Sequence, residues 1–367
     1  MHVIFQAFLA LTVMASATPV EDFITAAGEK HGEEGGKAAR FLVENMPAAD
    51  RETLSSAFLV ENLDLAIKAR SEFPWAKAVP EEIFLNDVLP YAVLDETRDR
   101  WRADFHAKAG EIVKECDSLT AAAQALNRGF FKLVKVHYNT GRKRPNQSPK
   151  ESMESGIATC TGLSIILVDA CRSVGIPARA VGTPMWSNGR GNHTWVEIWD
   201  GGWHFTGADE YEAGGLDRGW FVDDAAKAKT EVPQNAIYAT SWQKTGLAFP
   251  MVWAEAANTV PGINVTDRYV KPSAGLTGMA NLGVRLFSEK GGERIVSTLT
   301  VIDDQGKVLG NSGTKAGNAD LNDMPRFALK TGAKGILRFQ IGGQTKEMPF
   351  GPLEQGEPTV DAVWSAP

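Results

Sequence analysis

Cysteine is scarce in this chain. Its 367 residues hold three, Cys116, Cys160 and Cys171, too few for a disulfide framework to stand in for a hydrophobic core. Cys116 and Cys171 read as buried thiols that behave as small hydrophobes; a bridge between them is the alternative in an oxidising compartment. Histidine numbers only six. No His/Cys cluster has metal-ligand spacing and no acidic run has that of a calcium loop, so no metal is expected. A basic excess is missing too: 38 Lys and Arg against 45 Asp and Glu leave a net charge of −7. That excludes the cationic face needed to hold phosphate backbones and removes nucleic acid from the expected partners. The mild acidity serves solubility. Beyond residue 17, no apolar run approaches the ~20 residues of a membrane-spanning helix. What is present is ordinary globular material, 43% hydrophobic and 9% aromatic, in a length that predicts two or three domains.

The first 17 residues stand apart. Val3 to Ala15 is mostly apolar, and Ala15-Ser16-Ala17 is a small-x-small cleavage pattern before Thr18-Pro19. That predicts a signal peptide over residues 1–17 and export to the periplasm or the extracellular space. Residues 18–115 read as a helical region. Apolar residues recur at helical spacing in Ala38–Met46 and Leu54–Ile67, with Pro47, Pro74, Pro80 and Pro90 breaking the pattern. Trp101 to Lys114 and Leu119 to Val136 predict two more helices, the second capped by Ser118 or Thr120.

Residues 116–260 are predicted to form the core. A basic, proline-broken stretch over 140–155 reads as a solvated loop. Thr161 to Val174 predicts a helix, ended by Gly175 in the left-handed region and by Pro177. Ala178–Val181 and Thr194–Trp199 are expected strands, and Gly201-Gly202 turns the second back into Trp203–Thr206. Residues 215–260 read as irregular, anchored by Trp220, Phe221, Trp242 and Trp253. Residues 270–367 look all-β. Leu299 and Val301 alternate with Thr298 and Thr300, Asp304-Gln305-Gly306 and Gly342-Gly343 mark turns, and Leu337, Phe339 and Ile341 alternate again. Strands at this spacing predict an Ig-like β-sandwich.

Cys160 is the candidate nucleophile. A thiolate attacks carbonyls where a thiol does not, and a helix N-terminus, an imidazolium and backbone donors all favour it. Gly156-Ile157-Ala158-Thr159-Cys160-Thr161-Gly162 puts the sulfur in the first turn of the predicted helix. The macrodipole there favours an anion by ~0.3–1 kcal/mol, and the free N–H groups suit an oxyanion. Small flanking residues leave room for a substrate chain. His193 is the candidate base. It opens a predicted strand behind the glycine-rich loop Ser187-Asn188-Gly189-Arg190-Gly191, a position suited to proton transfer. His31, His106 and His137 fall in segments read as helical, and His204 in a strand. Glu197 and Asp200 are expected on the solvated face and turn of the hairpin, and Asp223-Asp224 as a surface pair.

Together, Cys160, Gly175-Ile176-Pro177-Ala178-Arg179, His193-Thr194-Trp195-Val196-Glu197 and Gly202-Trp203 resemble the transglutaminase-like superfamily in order and spacing across residues 130–210. The lead-in with Phe73-Pro74-Trp75, Leu89-Pro90-Tyr91 and Trp101-Arg102 looks like its bacterial members. The resemblance implies an α+β chain: an N-terminal helical region, a papain-like core with an antiparallel sheet, and the C-terminal β-sandwich. It also implies a cysteine peptidase or acyltransferase acting on peptide or protein amides without a cofactor, with Cys160 attacking and His193 moving the proton. Family members usually place an aspartate four residues after the strand tryptophan. Here that position is Gly207. Asp209 keeps the strand parity of the missing acid and is the favoured third member; Glu210 is the alternative if Gly207 bulges the strand. Loss of the acid leaves a second reading, a weakened or inactive binding module on the same fold. The β-sandwich offers a further contact, with a glycan or a partner protein.

Overall fold

The structure, a computed structural model, describes residues 18–254, 257–270, 278–317, 323–356 and 358–365. The predicted signal peptide lies outside them.

Helices α1 (Pro19–Asn45), α2 (Ala48–Thr53), α3 (Ser56–Glu72), α4 (Glu81–Asp87), α5 (Trp101–Val113) and α6 (Leu119–Val134) come first. Their starts are written in the sequence. Thr18 and Glu21 form a capping box on α1, Ser55 accepts from the Phe58 N–H on α3, and Ser118 accepts from the Ala121 N–H at 3.3 Å on α6. Each cap satisfies an amide the helix itself leaves orphaned. Helix α1 begins much earlier than the apolar spacing from Ala38 onward implies. Its first half is rich in glycine and charge, and it kinks at Gly32, which takes φ 64°. Leu42, Leu59, Leu63 and Phe84 centre one apolar cluster shared by α1, α3 and α4. Phe105 and Ala109 of α5 and Leu126 and Phe130 of α6 belong to a different cluster, that of the core.

The core continues with β1 (His137–Tyr138), α7 (Pro149–Ser155), β2 (Ile157–Ala158) and α8 (Cys160–Ser173). The stretch over 140–155 is therefore not all loop: its second half is α7, and Gln147 and Ser148 are buried. Ser148-Pro149-Lys150-Glu151 is a capping box with proline at the first helical position, a signal the basic composition obscured. Helix α8 stops where expected, at Gly175 with φ 73°.

Strands β3 (Ala178–Thr183), β4 (His193–Trp199) and β5 (Trp203–Thr206) follow, then a short α9 (Val222–Ala225), β6 (Tyr238–Thr240), β7 (Leu247–Ala248) and β8 (Pro261–Asn264). All six strands form one antiparallel sheet in the order β5-β4-β3-β6-β8-β7. Residues 215–260, read as irregular, thus supply two strands, each too short for alternation to be read. Helix α8 covers one face of the sheet, with Leu163, Ile166 and Ala170 against Ala180, Val196 and Ile198. Trp195, Phe221, Ile237, Ala239 and Tyr269 cover the other.

Burial on both faces overturns the expectation for Glu197. A sheet with one wet face would leave it in solvent. Instead it is 2% exposed. It accepts hydrogen bonds from Arg179 at 2.6 and 2.8 Å, from the Tyr269 hydroxyl at 2.8 Å and from Arg268 at 3.0 Å. Asp200 does lie exposed at the hairpin turn.

The C-terminal part is two sheets. Strands β9 (Met279–Phe287), β10 (Thr298–Asp303), β11 (Val308–Gly313), β12 (Arg326–Lys330), β13 (Gly335–Ile341), β14 (Gln344–Phe350) and β15 (Thr359–Val363) sort as β11-β10-β13-β14 and β12-β9-β15. Leu282 and Val284 from one sheet pack with Leu299, Val301, Leu337 and Phe339 from the other, which is the sandwich core. Every pairing is antiparallel except β15 with β9.

All three cysteines are unbridged. Cys171 is buried on α8, and burial drives its thiol pKa strongly up; Cys116, expected to be buried, is instead partly exposed just past the end of α5, and its partial burial raises its thiol as well. Asp87, at the end of α4, is also buried. Burial, opposed by Arg179 and Arg172, lifts its carboxyl from 3.8 to about 6. A pKa raised on folding means that the folded state binds more protons across that interval. Asp87 therefore favours folding most below about pH 4, and that contribution is lost as pH rises through about 6. Asp87→Asn is expected to raise the urea midpoint at pH 7 and to flatten its dependence on pH over that interval. Paired urea titrations at about pH 5 and pH 7 check this, and parallel slopes in the two proteins would contradict it.

Candidate active site

Cys160 is the first residue of α8. Thr159 is the N-cap in extended conformation and lends no side-chain cap, so it leaves the first-turn amides to other acceptors. Cys160 is partly exposed, unlike Cys171. The approach to it is fixed by the parallel β1–β2 pair, His137 with Ile157 and Tyr138 with Ala158. Gly162 seats the first turn: a Cβ there would come 2.9 Å from the Ala158 Cβ, so a larger residue would push α8 off β2.

His193 opens β4 opposite Thr183 of β3. Side chains alternate across a strand. Thr194, Val196 and Ile198 turn toward α8, and His193, Trp195 and Glu197 toward the opposite cluster. His193 is 1% exposed, ringed by Trp220 at 4.6 Å, Phe221 at 5.1 Å, Trp195 at 5.7 Å and Trp186 at 6.0 Å between ring centres. The two predicted residues are joined through their neighbours. The hydroxyls of Thr161 and Thr194 lie 3.1 Å apart in a buried hydrogen bond. The residue after Cys160 thus touches the residue after His193, across 33 positions of chain.

The loop ahead of His193 is tied down. Asn188 Nδ2 donates to Asp224 Oδ1 at 2.9 Å, Arg190 pairs with the same carboxylate, and the Trp186 N–H donates to the Gly191 carbonyl at 2.8 Å. Gly189 and Gly191 take φ 76° and 105°, open to glycine at no steric cost. The expected surface pair is therefore split: Asp223 is exposed, while Asp224 is 2% exposed and anchors the loop. A buried acid on a four-residue helix left no periodic signal in the sequence.

Beyond β5 the chain does not run straight. Asn127 of α6, 3% exposed, clamps the corner. Its amide donates to Thr206 Oγ1 at 3.0 Å and to the Gly207 carbonyl at 2.8 Å, and its oxygen accepts from the Asp209 N–H at 3.0 Å. Asp209 takes φ 63° and reverses the chain. Its carboxylate turns to β1, with Oδ2 3.3 Å from His137 Nδ1. Burial raises the Asp209 carboxyl, against the opposing pull of that hydrogen bond. His137 thus sits in a strand, not a helix, and meets the acid that sequence parity favoured. Glu210 folds back over Gly207: a Cβ at 207 would lie 2.7 Å from the Glu210 Cδ. Nothing in the sequence marked Asn127, one polar residue on an otherwise apolar helix face.

His204 pairs with Asp217 at 2.7 Å, both well exposed. A cavity of about 1370 Å³ lies between the helical region and the sheet, and Met185, Gly191 and Asn192 beside His193 form part of its wall. Among the described residues, no group of three or more His, Cys, Asp or Glu is placed to hold a metal ion, and no helix is long and apolar enough to cross a membrane.

Residues 106–222 match the transglutaminase-like superfamily. No curated protein matches the chain. Among solved structures, one called "a Putative Cysteine Protease from Cytophaga hutchinsonii" is 17% identical over 39% of this chain and 47% of its own, with a TM-score of 0.30. The Bacillus anthracis TIE protein is 13% identical over 51% of this chain and 30% of its own, with a TM-score of 0.19. The chain thus spans less than half the length of either structure.

Proposed function

We propose that this chain, which carries a transglutaminase-like domain over residues 106–222, is an exported thiol enzyme acting on peptide or protein amides. In this reading Cys160 Sγ attacks the amide carbonyl, and the first-turn N–H groups of α8 receive the oxyanion. His193 takes the thiol proton and delivers it to the leaving amine. Water then opens the thioester, with His193 accepting its proton, and a carboxylate holds the imidazole in the working tautomer. No cofactor enters these steps. Hydrolysis is favoured over transfer to an amine, because a transferase must exclude water and Cys160 is partly exposed.

The observation that carries this reading is the Thr161–Thr194 hydrogen bond. It sets the start of α8 beside the mouth of β4, which supports reading Cys160 as nucleophile and His193 as its base. Export rests on the apolar start and the Ala15-Ser16-Ala17 pattern. The β-sandwich is a candidate tether to a glycan or a partner protein. The rival reading, a binding module that has lost catalysis, draws on Gly207 standing at the usual position of the acid.

Alkylation separates the two. Iodoacetamide is expected to label native protein at Cys160 well below the ~8.5 of a free thiol, with the adduct located by mass spectrometry and absent from Cys160→Ala. A Cys160 that stays inert between about pH 5 and pH 8 favours the binding module.

A further inference from the structure

We infer that Glu210 is the acid that orients His193, and that position 207 is a glycine to let its carboxylate in. This rests on the thiol-enzyme reading above and adds the member that reading leaves open.

The first argument is the face of the sheet. Strand β5 pairs with β4 so that Phe205 lies opposite Glu197 and Thr206 opposite Val196. Phe205 packs on Phe221 at 5.7 Å and Tyr269 at 5.3 Å, the side to which His193 turns. Thr206 faces the other way, onto Asn127. The next position, 207, returns to the face of Phe205 and His193. One further step of the register sets it opposite Trp195, the neighbour of His193 on that face. A side chain there would be aimed at the imidazole's side of the sheet.

Position 207 has no side chain, and the space is filled by Glu210. A Cβ at 207 would lie 2.7 Å from the Glu210 Cδ and 2.9 Å from its Cβ, closer still to a carboxylate oxygen. The Glu210 carboxyl thus occupies the volume that an acid at 207 would enter first. The backbone gives no other reason for glycine, since Gly207 is not among the glycines with positive φ. The corner that delivers Glu210 is built for it. Asp209 reverses the chain at φ 63°, Asn127 clamps residues 206–209, and the Asp209 carboxylate is directed away, to His137. Glu210 is a positioning residue, acting through His193.

The test reads the pH dependence of iodoacetamide alkylation at Cys160. Without the acid the imidazolium is less stable, and the thiolate paired with it forms at higher pH. In Glu210→Ala the onset is expected to move up by about one pH unit, so that alkylation near pH 6 falls about tenfold. Gly207→Ala, which expels the carboxylate, is expected to do the same, and Asp209→Asn, which removes the charge but keeps a residue suited to the left-handed corner, to leave the onset in place. The swap Gly207→Asp/Glu210→Gly is expected to restore the wild-type onset, which repair of the fold alone would not do. The inference is overturned if Glu210→Ala keeps the wild-type profile, if Asp209→Asn moves it instead, or if a swap with wild-type melting fails to restore it. Failure of the underlying reading is distinct: wild-type Cys160 would then show no early onset at all.

Discussion

Cys160→Ala is expected to lower hydrolysis of p-nitrophenyl acetate by on the order of 10⁴-fold or more, while leaving the fold in place. The two halves of that statement come from different observations. The sulfur is the only atom proposed to bond with substrate, so its removal leaves just the oxyanion donors and binding. Structurally little is lost, because Cys160 is partly exposed at a helix start and alanine is the best helix former. Unfolding free energies of variant and parent from urea titrations should agree to within about 0.5 kcal/mol. The double variant Cys160→Ala/His193→Ala should be no slower than Cys160→Ala alone, since nucleophile and base act as a unit. His193→Ala by itself is the less clean probe: the imidazole is packed among four aromatic rings, and deleting it opens a cavity. Undiminished turnover by pure Cys160→Ala would end the thiol mechanism.

The largest loss of stability is expected at Glu197. Glu197→Ala should destabilise the fold by about 3–5 kcal/mol, because it strands a buried charge. Its main partner Arg179 is 3% exposed, with its guanidinium 3.6 Å from the centre of the Trp203 ring. The same carboxylate accepts from the Tyr269 hydroxyl, which in turn accepts from Trp195 Nε1 at 3.0 Å. Glu197→Gln keeps the shape and most of the hydrogen bonds, and should cost clearly less. Urea titrations of the three proteins decide it; an alanine variant as stable as the parent would mean that water reaches Arg179. Two positions of the His-x-Trp-x-Glu motif thereby acquire a structural role: Trp195 and Glu197 fasten the strand whose first residue is His193.

These particulars also mark how far sequence reading reaches. Helix α8, its stop at Gly175, the hairpin β4–β5 and the cap at Ser118 were legible because each rests on contacts within a few residues. That the start of α8 lies beside the mouth of β4 was legible because spacing and order stand in for distance. Glu197 and Asp224 were misplaced because burial depends on what packs across, and the covering layer comes from residues 215–270, whose strands are too short to show a period. The turn at 208–209 was legible only as the alternative in which Gly207 breaks the strand, because parity assumes an extended chain and the clamp that bends it, Asn127, is some eighty residues away.

The sheet has one more implication, for dissection of the gene. The superfamily match stops at residue 222, yet β6 and β8 come later and β6 hydrogen-bonds directly to β3. A fragment trimmed to the match would leave β3 as a bare sheet margin and uncover Val181, Trp195 and Phe221, which Ile237, Ala239 and Tyr269 otherwise shield. Such a margin recruits other chains, so the smallest piece worth expressing extends at least through Tyr269.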